Sequence, residues 1–169
     1  MTASEFKAMR EAVGYSVEKL ARHVSVSADV ARQWESGEAD IPPKAIDYLK
    51  RTEASMQESV NSVVSNWANR KNRGRPVFLF AFLSDEDLWA HNPSMSGHEF
   101  AAYSKSKMHR VRDALQEHGV EVICAYLHMA KFTVWLRENR KIRSLETIRE
   151  WWESEGPLQH EQTGEKESP

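Results

Sequence analysis

Residues 15–37 (YSVEKLARHVSVSADVARQWESG) constrain the fold more than any other part of the chain. Ser16 and Ser27 are residue types that cap the N-termini of helices, and Gly37 is typical of a helix C-terminus. The apolar residues between them follow helical spacing and are divided by a short Ser-Val-Ser segment. Ala21 is small enough to let two helices cross closely at a steep angle. The segment therefore predicts two short helices joined by a tight turn.

This pair of helices resembles the helix-turn-helix of Xre/Cro-type transcriptional regulators, and its spacing matches that family without a gap. The residues that carry the resemblance are Ala21, Val26, Ser27, Trp34, Glu35 and Gly37. Ser25 replaces the usual glycine of the turn, so we expect a non-glycine residue in a left-handed conformation there. The resemblance implies a lambda-repressor-like head in which residues 28–33 form the exposed face of a DNA recognition helix. The alternative is a helical hairpin within an ordinary core.

Four residues of the second helix are predicted to face outward and to contact bases. Arg32 can donate two hydrogen bonds to guanine, and Gln33 can bond adenine in the same bidentate way. Ala28 is small enough to meet a thymine methyl group, whereas Asp29 can accept from cytosine but repels phosphates. Solvated helix surface is the alternative for Arg32 and Gln33, but the resemblance places both on the recognition face.

Phosphate contacts are expected at the N-termini of both helices, at Ser16 and Ser27. Free backbone N–H groups and the helix dipole favour anions there. Related regulators often carry basic residues in the loop after the second helix, whereas this chain has Glu38 and Asp40, with Lys44 as the nearest cation. We therefore expect weak non-specific affinity with a shallow dependence on salt, because few counterions are released.

The resemblance also implies a structural ion pair between Arg10 and Glu35. This pair would hold the first helix of the head beneath the recognition helix. A capping-box signature at Thr2 predicts that the first helix begins there and ends before Gly14. Arg10 then lies near Phe6, on the helix face that is expected to be buried.

The second half of the chain is predicted to be a small α+β unit that follows a long helix. One apolar stripe runs from the Pro42-Pro43 helix start to Trp67, which predicts about six helical turns. The order predicted after this helix is β-α-α-β-β-α, with capping-box signatures at Ser84 and Ser96 opening the first two helices. The predicted strands are residues 77–83, 120–127 and 132–136, with residues 128–131 as a turn and residues 144–152 as the last helix.

The predicted fold class is mainly α, with a helix-turn-helix head, a long connecting helix and a small C-terminal α+β dimerisation domain. Four parts are expected along the chain. They are a DNA-binding domain that includes the long helix (residues 1–70), a basic linker (71–76), the α+β domain (77–152) and an acidic disordered tail (153–169).

The whole layout is similar to the YdiL-like regulators, which include autorepressors that accompany anti-CRISPR genes on mobile genetic elements. The segments that carry this resemblance are residues 32–37, the Ile41-Pro42 helix start and residues 76–93. The resemblance extends to about Leu127 and implies a homodimeric repressor that binds an inverted repeat in double-stranded DNA, often at its own promoter. The segment from His128 onward departs from the family by extension.

A homodimer surface is predicted after about Met56, because the apolar stripe of the long helix exceeds what the head can cover. The residues assigned to this surface are Met56, Val60, Val63, Trp67, Phe78, Phe80 and Trp89. The alternative is that the second half of the same chain covers them.

Composition excludes several other classes of protein. A single cysteine, Cys124, excludes an internal disulfide framework, and no apolar run is long enough to span a membrane. The histidines are scattered and no phosphate-binding loop appears, so we expect no enzyme activity, metal or cofactor, and a cytoplasmic location. Two alternatives stay open: an RNA-binding regulator that uses the basic clusters at residues 70–75 and 137–143, and an antitoxin-type interaction module.

Overall fold

The computed structural model describes residues 1–69, 76–96 and 100–155. Its helices and strands are α1 (Ala3–Ala12), α2 (Val17–Val24), α3 (Ala28–Ser36), α4 (Pro43–Ala68), β1 (Val77–Phe82), α5 (Asp85–His91), α6 (Ala101–Gln116), β2 (Val122–Leu127), α7 (Met129–Glu138) and α8 (Leu145–Glu155). A short 3-10 helix, Pro93–Met95, follows α5. The described chain is mainly helical with one small parallel sheet, which confirms the prediction of a mainly α fold with a small α+β unit.

Two of the predicted segments fall largely outside the described residues. They are the basic linker, of which only Pro76 is described, and the acidic tail from residue 156 onward. Helix α8 runs to Glu155, so the first three residues of the predicted tail belong to this helix.

Local signals build the two short helices of the head. The Ser16 Oγ accepts a hydrogen bond from the Lys19 N–H at 3.2 Å, and the Ser27 Oγ accepts one from the Val30 N–H at 3.3 Å. Ser25 ends α2 in the left-handed region, with φ of 60°. The structure therefore contains the two helices, their caps and the strained turn that the sequence predicted.

Helix α4 connects the head to the second half of the chain. It contains 26 residues, which corresponds to a length of about 39 Å. Leu49 and Met56 lie in the core of the head, whereas Val60 packs with Val111 and Leu115 of α6. The apolar stripe of α4 is therefore covered in succession by two parts of the same chain.

The sheet consists of β1 and β2 in parallel, with Val77 opposite Val122 and Phe82 opposite Leu127. Helix α6 forms the crossover between the two strands and packs on one face of the sheet. On the other face, Phe78 contacts Trp152 of α8, with ring centroids 5.8 Å apart. The small sheet is thus enclosed between helices, as parallel strands require.

The prediction of a strand at residues 132–136, after a turn at 128–131, is wrong. These residues belong to helix α7, in which Met129 and Phe132 are buried at a spacing of three residues. The run of aromatic and β-branched residues is typical of a strand, but a residue far away in the sequence caps a helix N-terminus at this point. The Asp87 carboxylate accepts a hydrogen bond from the Met129 N–H at 2.6 Å.

The prediction that a capping box at Ser96 opens a helix is also wrong. Helix α6 begins at Ala101, with Phe100 at the N-cap position, and residues 97–99 of the signature lie outside the described residues. Asp85 supplies the cap from α5, because its Oδ1 accepts from the Ala101 N–H at 2.8 Å. Two carboxylates of α5 therefore start the two following helices.

The head packs directly on the second half of the chain. Phe100 is 1% exposed and lies in the core of the head, edge-on to Tyr15 at a centroid distance of 6.1 Å. Arg110 of α6 bonds both carboxylate oxygens of Glu53, at 2.5 and 3.0 Å, and the Ala12 carbonyl at 3.0 Å. The head is therefore held at a defined orientation rather than tethered.

Candidate nucleic-acid interface

The exposed face of α3 carries the residues that the sequence assigned to base contacts. Asp29, Arg32 and Gln33 are exposed, and Ala28 is half-buried. The opposite face of the helix is fixed in the core, where Ala31 is 0% exposed. The structure thus brings the four predicted side chains to one accessible surface.

The N-termini of α2 and α3 are both open to solvent at this part of the head. Ser16 and Ser27 are exposed although their hydroxyl oxygens cap the helices. Each cap satisfies one backbone N–H of the first turn, and at α2 the Glu18 carboxylate bonds the backbone as well; the other N–H groups of these turns favour an anion. Lys44 is exposed in the first turn of α4, after the exposed acids Glu38 and Asp40.

The ion pair between Arg10 and Glu35 is present and locks α1 to α3. The Nε and Nη2 atoms of Arg10 donate to the two carboxylate oxygens of Glu35, at 2.6 and 3.0 Å. Only 7% of the Arg10 side chain and 9% of the Glu35 side chain are exposed. Burial disfavours the charged guanidinium, but the hydrogen bonds and the charge of Glu35 outweigh it and raise the pKa of Arg10.

Arg32 has two carboxylate partners that were not predicted from the sequence. Its Nη1 donates to the Asp29 Oδ1 at 2.7 Å, and its Nη2 donates to the Glu18 Oε1. Backbone and Ser16 hydrogen bonds, with the charge of Arg32, lower the pKa of Glu18. The spacing of three residues could have indicated the Asp29 contact, but Glu18 lies on a different helix, 14 positions away.

Most residues assigned to the dimer surface are covered by their own chain. Met56 and Val60 are 0% and 2% exposed, so the structure places them inside the chain and not at an interface. Trp67, Phe78, Phe80 and Trp89 are half-buried and contact His118, Trp152, Phe82 and Phe100 respectively. Val63, at 37%, is the most exposed of the set.

Three further features of the described residues concern metal binding, membrane spans and the single cysteine. Within the described ranges, no group of three His, Cys, Asp or Glu residues is arranged to hold a metal ion. None of the helices in those ranges is long and apolar enough to cross a membrane. Cys124 is half-buried, and burial raises the pKa of its thiol, which lowers its reactivity.

The comparison with protein families adds to this geometry. A family model described as Aca2/YdiL-like matches residues 1–124. The chain belongs to the Aca2/YdiL-like family. This membership indicates that the protein is a regulator, and it confirms the YdiL-like resemblance of the sequence. No curated protein matches the chain.

The Aca2/YdiL-like match covers the head, α4, β1, α5 and α6 and ends within β2. Helices α7 and α8 lie beyond it. The N-terminus of α7 is nevertheless bonded to Asp87 of the matched region, so the added helices are part of one folded unit.

Proposed function

We propose that this Aca2/YdiL-like protein is a sequence-specific DNA-binding repressor that acts as a homodimer on an inverted repeat at its own promoter. The observation that carries the proposal is the outer face of α3. Arg32 and Gln33 project from a helix whose inner face is locked to α1 by a buried ion pair. A rigid helix with an exposed Arg and Gln fits the major groove, where both side chains can distinguish bases.

The dimer is proposed because one head offers too few base contacts for specific binding. Two heads of a dimer must lie about 34 Å apart to meet successive major grooves on one side of DNA. Helix α4 has a comparable length, and Val63 on its second half is an exposed apolar residue. We therefore assign the contact between copies to the outer surface of this half of α4, around Val63.

The test is a binding experiment with the full chain and a duplex that covers the DNA upstream of its gene. Arg32→Ala and Gln33→Ala should each weaken binding by about 1–3 kcal/mol and relax the preference at one position of each half-site. Arg112→Ala is the matched control, because Arg112 also bonds a neighbouring carboxylate, Asp113, but lies in α6 and not in the recognition helix. Wild-type binding by Arg32→Ala would refute this assignment of the helix face.

The oligomeric state is measured in the same samples by sedimentation equilibrium. We expect a dimer at micromolar concentration and a ratio of two chains to one operator. Val63→Glu should weaken the dimer and the operator complex together, since burying a carboxylate at an apolar contact is unfavourable. A chain that stays monomeric, both free and on the operator, would contradict the dimer.

RNA binding is a second candidate, and one surface favours it. The last turn of α7 and the segment that follows it expose four basic side chains, namely Arg137, Arg140, Lys141 and Arg143. Such a cluster attracts phosphates without selecting a sequence. Replacing all four with Ala should abolish binding to a structured transcript and leave operator binding intact if this surface serves RNA.

A further inference from the structure

The guanidinium of Arg32 is held from two sides in the free head. Asp29, one turn before it on α3, bonds Nη1 at 2.7 Å, and Glu18 of α2 bonds Nη2. A bidentate contact with guanine needs two nitrogens of this group. The two carboxylates therefore take one N–H of each terminal nitrogen and compete with the proposed base contact for these nitrogens.

Glu18 stands where a DNA phosphate is expected to bind. It is the second residue of α2 and follows the Ser16 cap, so its carboxylate lies at the helix N-terminus. A glutamate is ionised at neutral pH, and hydrogen bonds to the backbone and to Ser16 lower the pKa of Glu18 further. Its side chain is 58% exposed and that of Arg32 is 54% exposed, so a nucleic acid can reach both.

We propose that Glu18 is a specificity-determining residue that acts through Arg32, with Asp29 as the second holding group. This inference rests on the proposed DNA-binding function. A duplex that engages Arg32 competes with the Glu18 carboxylate for the terminal nitrogens of the guanidinium. A guanine at the correct position forms two directed hydrogen bonds with Arg32, which offset the weakened contact with Glu18, whereas the bases of an unrelated sequence do not. The pair thus disfavours non-specific complexes more than the specific complex.

The test compares wild type with Glu18→Gln, which keeps the size of the side chain and removes its charge. Binding is followed by fluorescence anisotropy at several salt concentrations, on two duplexes of equal length. One duplex carries the inverted repeat enriched by the protein from a random library, and the other is an unrelated sequence. Glu117→Gln is the matched control, since Glu117 is an exposed carboxylate at the end of α6.

Glu18→Gln should tighten binding to the unrelated duplex by roughly two- to tenfold, as expected for removing one nearby like charge. Binding to the enriched duplex should change less, so the ratio of the two affinities falls. In an Arg32→Ala background the same substitution should leave this ratio unchanged, because Glu18 acts on the ratio through Arg32. The melting temperature should not move, since both side chains are at the surface.

Three outcomes would overturn the inference. The first is equal tightening on both duplexes, which is general repulsion of DNA. The second is the same fall in the affinity ratio with and without Arg32. The third is no change on either duplex while wild type binds its enriched sequence, which removes the role of Glu18 and leaves the DNA-binding function standing. If the library yields no enriched sequence, the proposed function fails as well.

Discussion

The buried pair of Arg10 and Glu35 provides the sharpest prediction about stability. Glu35→Ala removes both carboxylate oxygens from a guanidinium that is 7% exposed. The Tyr15 carbonyl, at 2.5 Å from Nη1, and the Glu11 carboxylate, at 3.2 Å from Nη2, remain. The Glu11 side chain is 55% exposed, so it replaces only part of the lost interaction.

The expected loss is about 3 kcal/mol in the free energy of unfolding, the lower end of the range of roughly 3–5 kcal/mol for a buried charge that loses its partner. The lower end is chosen because the contacts with Tyr15 and Glu11 persist. Urea denaturation followed by circular dichroism measures this loss, and the slope against urea should stay constant. Lys141→Ala, which breaks an exposed pair with Glu150, is the control and should cost about 0–1 kcal/mol.

Replacing both partners gives the deciding result. Arg10→Met combined with Glu35→Leu removes the charges and keeps similar volume, so the double variant should be more stable than Glu35→Ala. A loss below about 1 kcal/mol for Glu35→Ala would refute the reasoning, because that is the value of a solvated pair. A double variant as unstable as the single one would refute it too, since the cost would then not arise from an unpaired charge.

Two further predictions concern packing and pH. Gly14→Ala should destabilise the chain strongly, because φ is +78° and a Cβ would lie 2.7 Å from the carbonyl carbon of Ala102. Gly119→Ala is the control, since Gly119 has a similar φ of +73° but open space around the added Cβ. The difference between the urea midpoints of the two variants therefore measures the cost of the clash with Ala102. Burial lowers the pKa of His91 and of His109 in the folded chain. In the unfolded chain both histidines have the ordinary pKa of about 6.5, so near that pH the unfolded chain binds more protons than the folded chain. The free energy of unfolding should therefore be constant above about pH 6.5 and fall as the pH decreases through that value. His109→Gln should lose less of this free energy between pH 7.5 and 5.5 than wild type does in parallel urea titrations. An equal loss in both proteins would show that His109 does not contribute to the pH dependence.

Sequence alone predicted the head well because its signals are local. Ser16, Ser27 and Gly37 act within a few residues of their own position, so the helix bounds follow from the residue types. The second half was predicted less well because its helices begin on distant groups. Asp85 and Asp87 cap α6 and α7 across 16 and 42 positions, and no local pattern carries that information.

The same limit explains the outcome for the candidate interface. An apolar stripe indicates that a surface is covered but does not identify what covers it, so the pattern at Met56 and Val60 does not distinguish a partner copy from the second half of the same chain. The outward face of α3 could be predicted from helical periodicity. The partner of Arg32 on α2 could not, because the contact depends on how two helices cross.

The contact between the head and the second half bears on how a dimer would select its operator. Phe100 enters the core of the head, and Arg110 bonds Glu53 and the Ala12 carbonyl. In the proposed dimer the two recognition helices are therefore separated by a fixed body rather than by flexible chain. Inserting two base pairs between the half-sites rotates one half-site by about 70° around the DNA axis relative to the other. Because no flexible linker can compensate for this rotation, the affinity should fall to that for a single half-site. Equal affinity for both spacings in a gel-shift titration would show that the heads move independently.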